Sequence, residues 1–474
     1  MPGLSVRTSE GKVERIDTAA VDRLGEQLRG EVLLPGQAGY DGARAIWNGM
    51  IDRRPALIAR CRGPADVLRS VAFARERGLL LSVKGGGHNI AGKAVCDGGL
   101  MIDLSPMTGV RVDPCARRAW VEPGCLLADV DHETQAFGLA TPLGINSTTG
   151  LAGLVLGGGF GWLSRMFGLT ADNLRSAQVV SAGSELVNAS DGENPDLFWA
   201  LRGGGGNFGV VTSFELELHP LGPEVVAGLM AYPFDDTTAE RLAHYRDLAA
   251  RVPEELTIWV VIRKAPPLPF IPARLHGREV LLVAVIYGGD VDEGEALADD
   301  VRAALGQPVG QHVIPHPYTA WQKTFDPLLG PGARNYWKSH NFTAITDAAI
   351  TDIIDFGGRL PTDQTEIFFG QLGGAASRPA PDAIAYPHRD AAFVMNVHTR
   401  WESPADDRRA VGWARDFHAK MAEHATGGVY VNFIPEGDEA RRAAFGPNYD
   451  RLVDVKTRWD PDNLFRMNQN IPPR

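Results

Sequence analysis

No apolar run in this chain approaches the roughly 18 residues of a membrane-spanning helix. Its opening, MPGLSVRTSEGKVERID, is polar and mixed in charge, unlike a signal peptide. These two absences predict a cytoplasmic protein with no membrane partner. Positive charge is in deficit as well: 47 lysines and arginines stand against 58 aspartates and glutamates, a formal charge of −11. Nucleic acid is thereby excluded as the main partner, because phosphate binding on that scale needs a basic face. Cysteine is scarce, and Cys61, Cys96, Cys115 and Cys125 show neither CxxC spacing nor a companion histidine cluster. The expectation is reduced structural thiols with no metal site, while spacing leaves a disulfide open.

Glycine, by contrast, is abundant, with 54 in 474 residues. A chain of this length exceeds one ordinary core and predicts two domains, or one large domain with an insertion. Much of the glycine falls in three clusters, KGGGHNIAG (84–92), LGGGFGW (156–162) and RGGGGNFG (202–209). Around them the periodicity predicts a helix over 62–78, a short buried strand over 79–83, a strand over 99–105 and two strands joined by a turn at Asp113-Pro114. Beyond residue 222 the clusters stop. Segments such as EVLLVAVIYGG, TEIFFGQLGG and AAFVMNVHTRW read as strands between helices, with a proline-rich excursion over 265–277. The predicted organisation is a domain over 1–222, an α+β domain over 223–428 and a C-terminal segment over 429–474.

Two familiar glycine motifs fail on context. Gly87, Gly92 and Lys93 satisfy GxxxxGK, but Ala94 stands where a magnesium-binding Ser or Thr belongs, and a strand follows where a helix is needed. Gly204, Gly206 and Gly209 match GxGxxG, yet the loop runs into the alternating strand VVTSFELELHP. Either the loops are tight turns, or they bring bare backbone N–H groups to a ligand such as a pyrophosphate. Three clusters within one domain favour a large, flat cofactor.

Four ordered motifs then carry a resemblance. KGGGHNIAG, GLATPLGINSTTGLAGLVLGGGFGWLSRMFGLTADNL, ENPDLFWALRGGGGNFGVVTSFELELHP, and YVNF with FGPNYDRLVDVKTRWDPDNLFRMNQNIPP resemble the FAD-linked oxidases of the berberine bridge enzyme-like group. The resemblance implies a PCMH-type FAD-binding domain in two α+β subdomains, completed by the C-terminal segment, and an α+β substrate domain with an antiparallel sheet. It also implies that His88 is bonded to the flavin 8α-methyl, with Lys84, Gly85, Gly86, Gly87, Asn89 and Gly92 around the pyrophosphate. Further FAD contacts carry over to Leu143, Gly144, Thr148, Thr149, Gly150, Gly153, Leu154, Gly158, Gly161, Trp162 and Asn173. Gly209, Val210 and Val211 follow from the third motif, and Tyr430, Asn432 and Phe433 from the last.

Many relatives attach the flavin a second time through a cysteine, at the position that is Asn146 here. A single link through His88 is therefore expected, resembling the 6-hydroxy-D-nicotine oxidase type. Thr149 and Leu154 are implied beside the ring edge that meets oxygen, and Tyr430 and Asn432 on the substrate side. Where many relatives carry a tyrosine and a Gln or Glu, this chain has Phe433 and Asn396, which argues against simple alcohol or sugar oxidation.

Thr149, Tyr430 and Asn396 are candidate catalytic residues, and Glu366 is the candidate base. Alternation puts Glu366, Phe368 and Gly370 on one face, where desolvation beside phenyl rings raises a carboxyl pKa; a salt bridge at the domain surface is the competing reading. His398 and Trp401 read as packing. The implied function is an FAD-dependent oxidase of a small organic or secondary-metabolite substrate with molecular oxygen as acceptor. A dehydrogenase using another acceptor and a flavin-loaded binding protein are the alternatives.

Overall fold

Three large sheets organise the protein, whose computed structural model describes residues 3–437 and 440–474. The first has four strands in the spatial order Glu31–Leu33, Leu57–Arg60, Leu100–Asp103, Leu81–Lys84. Its three longer strands run parallel. Parallel strands need a crossover, which helix Pro64–Glu76 supplies from Leu57–Arg60 to Leu81–Lys84 on either side of Leu100–Asp103. Pro64 opens that helix, where its missing N–H costs nothing, and Val67, Val71 and Ala74 form the stripe that it buries.

The second sheet is antiparallel, ordered Leu186–Ser190, Leu174–Val180, Val210–Glu217, Arg118–Val121, Val110–Asp113. The loop RGGGGNFG enters its central strand. The C-terminal helix Tyr449–Trp459 packs here too, contributing Leu452 and Val455 to the core around Phe198, Phe208 and Phe214. Its buried Lys456 donates to the Asn207 carbonyl at 2.8 Å and to Asp460 at 2.6 Å, and the Ile471 N–H donates to Asn207 Oδ1. The last residues of the chain thus lock the third glycine loop.

The third sheet has seven antiparallel strands, ordered Gly310–Pro317, Glu224–Pro233, Glu279–Tyr287, Leu256–Lys264, Glu366–Gln371, Phe393–Trp401, Arg334–Phe342. Alternation along each strand divides its faces. Ile258, Val260, Ile367, Phe369, Met395 and Val397 pack against helices Thr238–Ala249, Val291–Leu305, Asp347–Gly357 and Asp407–Met421. Trp259, Phe368 and Val394 point the other way, toward Phe160, Trp162 and Tyr430 of the glycine-rich half. The fold is two glycine-rich α+β subdomains, completed by the C-terminal helix, joined to an α+β domain with an antiparallel sheet, the architecture that the resemblance implies. No helix among the described residues is long and apolar enough to cross a membrane.

Candidate functional site

A large cavity lies where the three sheets meet. One wall is backbone: Gly85, Gly86, Gly87, Asn89, Gly144, Gly150, Gly153, Gly204, Gly205, Gly206 and Gly209 line it. Gly86 is forced by proximity, since a Cβ there would come within 2.4 Å of Gly150 Cα. Gly87 is forced by conformation, with φ near +73° in the left-handed region. Apolar side chains Leu81, Val83, Leu104, Phe465, Val210 and Val211 also border the cavity. An aromatic group, Trp47, Phe160, Trp259, Trp337, Phe368, Tyr430 and Phe433, forms another part of its wall.

His88 follows directly on the glycine wall. Its ring stacks on Trp47 with centroids 4.8 Å apart, and Nε2 lies 3.2 Å from Thr148 Oγ1. Burial, helped by the Arg400 charge, pushes its pKa down to about 3, so the imidazole is neutral in any physiological solution. The loop facing it is held from the substrate domain: Asp326 accepts from the Ser147 N–H at 3.0 Å and from its hydroxyl at 2.5 Å.

The substrate-domain side is built by cross-strand pairs. Glu366 stands opposite His398, and Phe368 opposite Asn396, all four reaching the cavity. Glu366 is neither at the surface nor a raised-pKa acid. Arg263 Nη1 donates to its Oε2 at 2.8 Å, and His398 Nδ1 lies 3.0 Å from Oε1. Burial pushes the carboxyl up, but the Arg263 charge and the His398 bond outweigh it and hold Glu366 below its ordinary value. The expectation of a desolvated, raised-pKa base is corrected for that reason. His398 is held down by burial despite Glu366. It lines the cavity and is not mere packing, whereas Trp401 is core, donating from Nε1 to Asp407 at 2.7 Å.

Tyr430 lines the cavity as well. Its hydroxyl accepts from the Gly159 N–H at 3.1 Å and from Asn432 Nδ2 at 2.9 Å, and burial pushes its pKa up to about 12. It is a fixed strut, not a proton acceptor. Asn432 ties the same segment to the Gly153 carbonyl. Three buried polar atoms of the cavity walls lack hydrogen-bond partners: Asn468 Oδ1 beside the third glycine loop, and the pair Asn396 Oδ1 and Trp337 Nε1 on the substrate-domain side. Buried polar groups are rarely left so, and the pair fits a ligand bearing both a donor and an acceptor.

Of the predicted residues, Thr149, Leu154 and Phe433 also reach the cavity. Others serve its frame. Lys84 donates to the Ala43 carbonyl at 2.6 Å, Gly92 packs on Ile51, and Leu143 is core beside the Gly161 backbone. Gly158 lies under the Tyr386 ring, Trp162 stacks among Trp259, Trp321 and Phe325, and Asn173 bonds to His219 and two carbonyls. Sequence reasoning missed Trp47 and Trp337, because nothing local distinguishes a cavity-lining tryptophan from a core one.

The donor set fits a flavin nucleotide: bare glycine backbone suits a pyrophosphate, the apolar and aromatic walls suit flat rings, and a neutral histidine borders both. Comparison with known proteins agrees. Residues 55–190 match the FAD binding domain, and residues 429–472 match the family described as berberine and berberine like. An FAD-linked oxidoreductase of Dictyostelium discoideum is 32% identical over 461 residues, covering 96% of this chain and 97% of that one. The (R)-6-hydroxynicotine oxidase of Paenarthrobacter nicotinovorans is 30% identical, covering 94% and 97%. The crystal structure of 6-hydroxy-D-nicotine oxidase from Arthrobacter nicotinovorans superposes with a TM-score of 0.82 at 28% identity, covering 94% of this chain and 98% of that one. The chain belongs to the FAD-linked oxidoreductases of the berberine bridge enzyme-like family.

Proposed function

We propose that this protein is an oxidase carrying one FAD bonded through His88, and that it oxidises a small, flat, largely apolar organic substrate with molecular oxygen as acceptor. The observation that carries this reading is the position of a neutral His88 between the glycine wall and the aromatic wall of one cavity. FAD, when bound, supplies a two-electron acceptor. Gly85 to Asn89 would hold its pyrophosphate side with Gly209 to Val211, and Thr149, Leu154, Tyr430, Asn432 and Phe433 would border the ring. The similarity to a hydroxynicotine oxidase supports a ring-bearing substrate, and the aromatic lining supports the same class.

The chain's own residues orient that substrate and manage its proton. Phe368, Trp337 and Phe433 exclude water, and Asn396 Oδ1 accepts a hydrogen bond from the substrate. The ionised Glu366 orients His398 through Nδ1–H. His398 lines the cavity, with its Nε2 3.3 Å from Asn335 Oδ1. We assign His398 the proton-accepting role that the sequence assigned to Glu366. The glycine-rich unit over 1–222, the substrate unit over 223–428 and the closing segment over 429–474 divide these tasks.

The test is acid precipitation and intact mass of purified protein and His88→Ala, followed by anaerobic reduction with a panel of heteroaromatic amines and readmission of air. The reading predicts a yellow pellet, a mass increment of one FAD that His88→Ala loses, and rapid reoxidation. Sluggish reoxidation would indicate a dehydrogenase, and free FAD in the supernatant would remove the covalent link.

A further inference from the structure

We propose that Asn146 and Thr148 form a relay that fixes the tautomer and orientation of His88 and so positions the nitrogen that bonds the flavin. The inference rests on the covalent reading above and adds two positioning residues to it. Its basis is a chain of three hydrogen bonds whose directions are set by one backbone donor. The Thr148 N–H donates to Asn146 Oδ1 at 3.1 Å, which identifies that atom as the oxygen of the amide. The Thr148 hydroxyl lies 2.7 Å from the same oxygen and must donate to it, since two acceptors would repel at that distance. Its proton thus committed, Thr148 Oγ1 offers His88 Nε2, 3.2 Å away, only a lone pair. His88 therefore carries its proton on Nε2, and Nδ1 is the bare nitrogen.

Other contacts hold the relay in place. Asn146 is 7% exposed, and the neighbouring Ser147 is clamped by Asp326 through both its N–H and its hydroxyl. Trp47 covers the imidazole ring, with its own Nε1 donating to the Leu329 carbonyl at 2.8 Å. Ring plane and proton position are thus both set before any flavin arrives, and a second partner of this kind is what decides which imidazole nitrogen is free to react.

In the attachment itself, a bond forms between Nδ1 and the 8α carbon of the flavin. That carbon loses one hydrogen as a proton, and Nε2 gives up the proton it held. The flavin takes up both protons and the electron pair of the broken C–H bond, then passes two electrons and two protons to molecular oxygen, which leaves as hydrogen peroxide.

The experiment reconstitutes flavin-free protein with FAD in air and follows acid-stable flavin by intact mass over time. Wild type, Thr148→Val and Thr148→Ser are compared, with non-covalent FAD content recorded for each. Thr148→Val is expected to bind FAD but attach it about tenfold more slowly or worse, the lower end of what loss of a histidine's outer partner costs; Thr148→Ser, which keeps the hydroxyl, should attach at close to the wild-type rate. Attachment by Thr148→Val at the wild-type rate would overturn the relay. Should Thr148→Val fail to hold FAD, Asn146→Leu against Asn146→Asp decides in the same way, since only the aspartate keeps the acceptor. If wild type itself never acquires acid-stable flavin, the covalent reading falls and the relay with it; that failure is distinct from one seen in the variants alone.

Discussion

Arg263 and Glu366 stand directly opposite each other on adjacent antiparallel strands, and Arg263 Nη1 donates to Glu366 Oε2 at 2.8 Å inside the protein. Both side chains are about nine-tenths buried, so each is the other's main compensation for lost water. Glu366→Gln leaves Arg263 a buried, unpaired cation and is expected to cost roughly 3 kcal/mol or more of stability. Arg263→Met combined with Glu366→Gln should recover part of that loss. Urea unfolding of the four proteins in the cycle measures the coupling, and additive effects would refute it.

The neutrality of His88 has a pH signature. With its pKa pushed down to about 3 by burial and then by Arg400, the imidazole stays unprotonated at any pH the protein meets in use. Flavin attachment during reconstitution is therefore expected to keep one rate from about pH 5 to 8, whereas a histidine at its ordinary value near 6.5 would lose most of its rate over the acid half of that range. Attachment rates across buffers, read by intact mass, distinguish the two.

His219 predicts the acid limb of stability. Its ring stacks on Phe167 at 4.2 Å, Nε2 lies 2.6 Å from Asn173 Oδ1, and burial, then Arg175, pushes its pKa down to about 4. Between the unfolded value of about 6.5 and the folded value, the unfolded chain binds more protons than the fold. The contribution is therefore complete above the upper limit and is lost as pH falls toward the lower one. His219→Gln should flatten the fall of the urea midpoint over that window relative to wild type; an unchanged slope would show that His219 does not contribute.

Gly86→Ala tests the glycine wall. Its Cβ would stand 2.4 Å from Gly150 Cα and 2.7 Å from Gly150 N, both backbone atoms, so one of the two loops must move. Overpacking of this sort costs about 1–3 kcal/mol. Because both loops line the cavity, flavin absorbance per mole of protein should fall as well. Retention of full flavin content with an unchanged melting temperature would contradict the contact.

Much of the fold is legible locally. Strands Leu81–Lys84, Leu100–Asp103, Glu279–Tyr287 and Phe393–Trp401 fall where apolar runs and alternation put them, and helix Pro64–Glu76 where 3.6-residue spacing does. The face shared by Glu366 and Phe368 is legible for the same reason, since alternation is a property of one strand. The charge state of Glu366 is not. Arg263 lies 103 residues away and His398 lies 32 residues away, and only the register of three strands makes them neighbours.

The sequence by itself determined the backbone chemistry of this protein: three glycine clusters free of Cβ atoms, a histidine at the end of one, and a closing segment whose motif announces its partner domain. Tertiary structure alone decided which side chains face the cavity and in what protonation state. Burial and Coulomb interaction depend on distances in space, and the loop positions of Trp47 and Asn146 become meaningful only with Leu329 and Asp326 of the substrate domain packed against their loops.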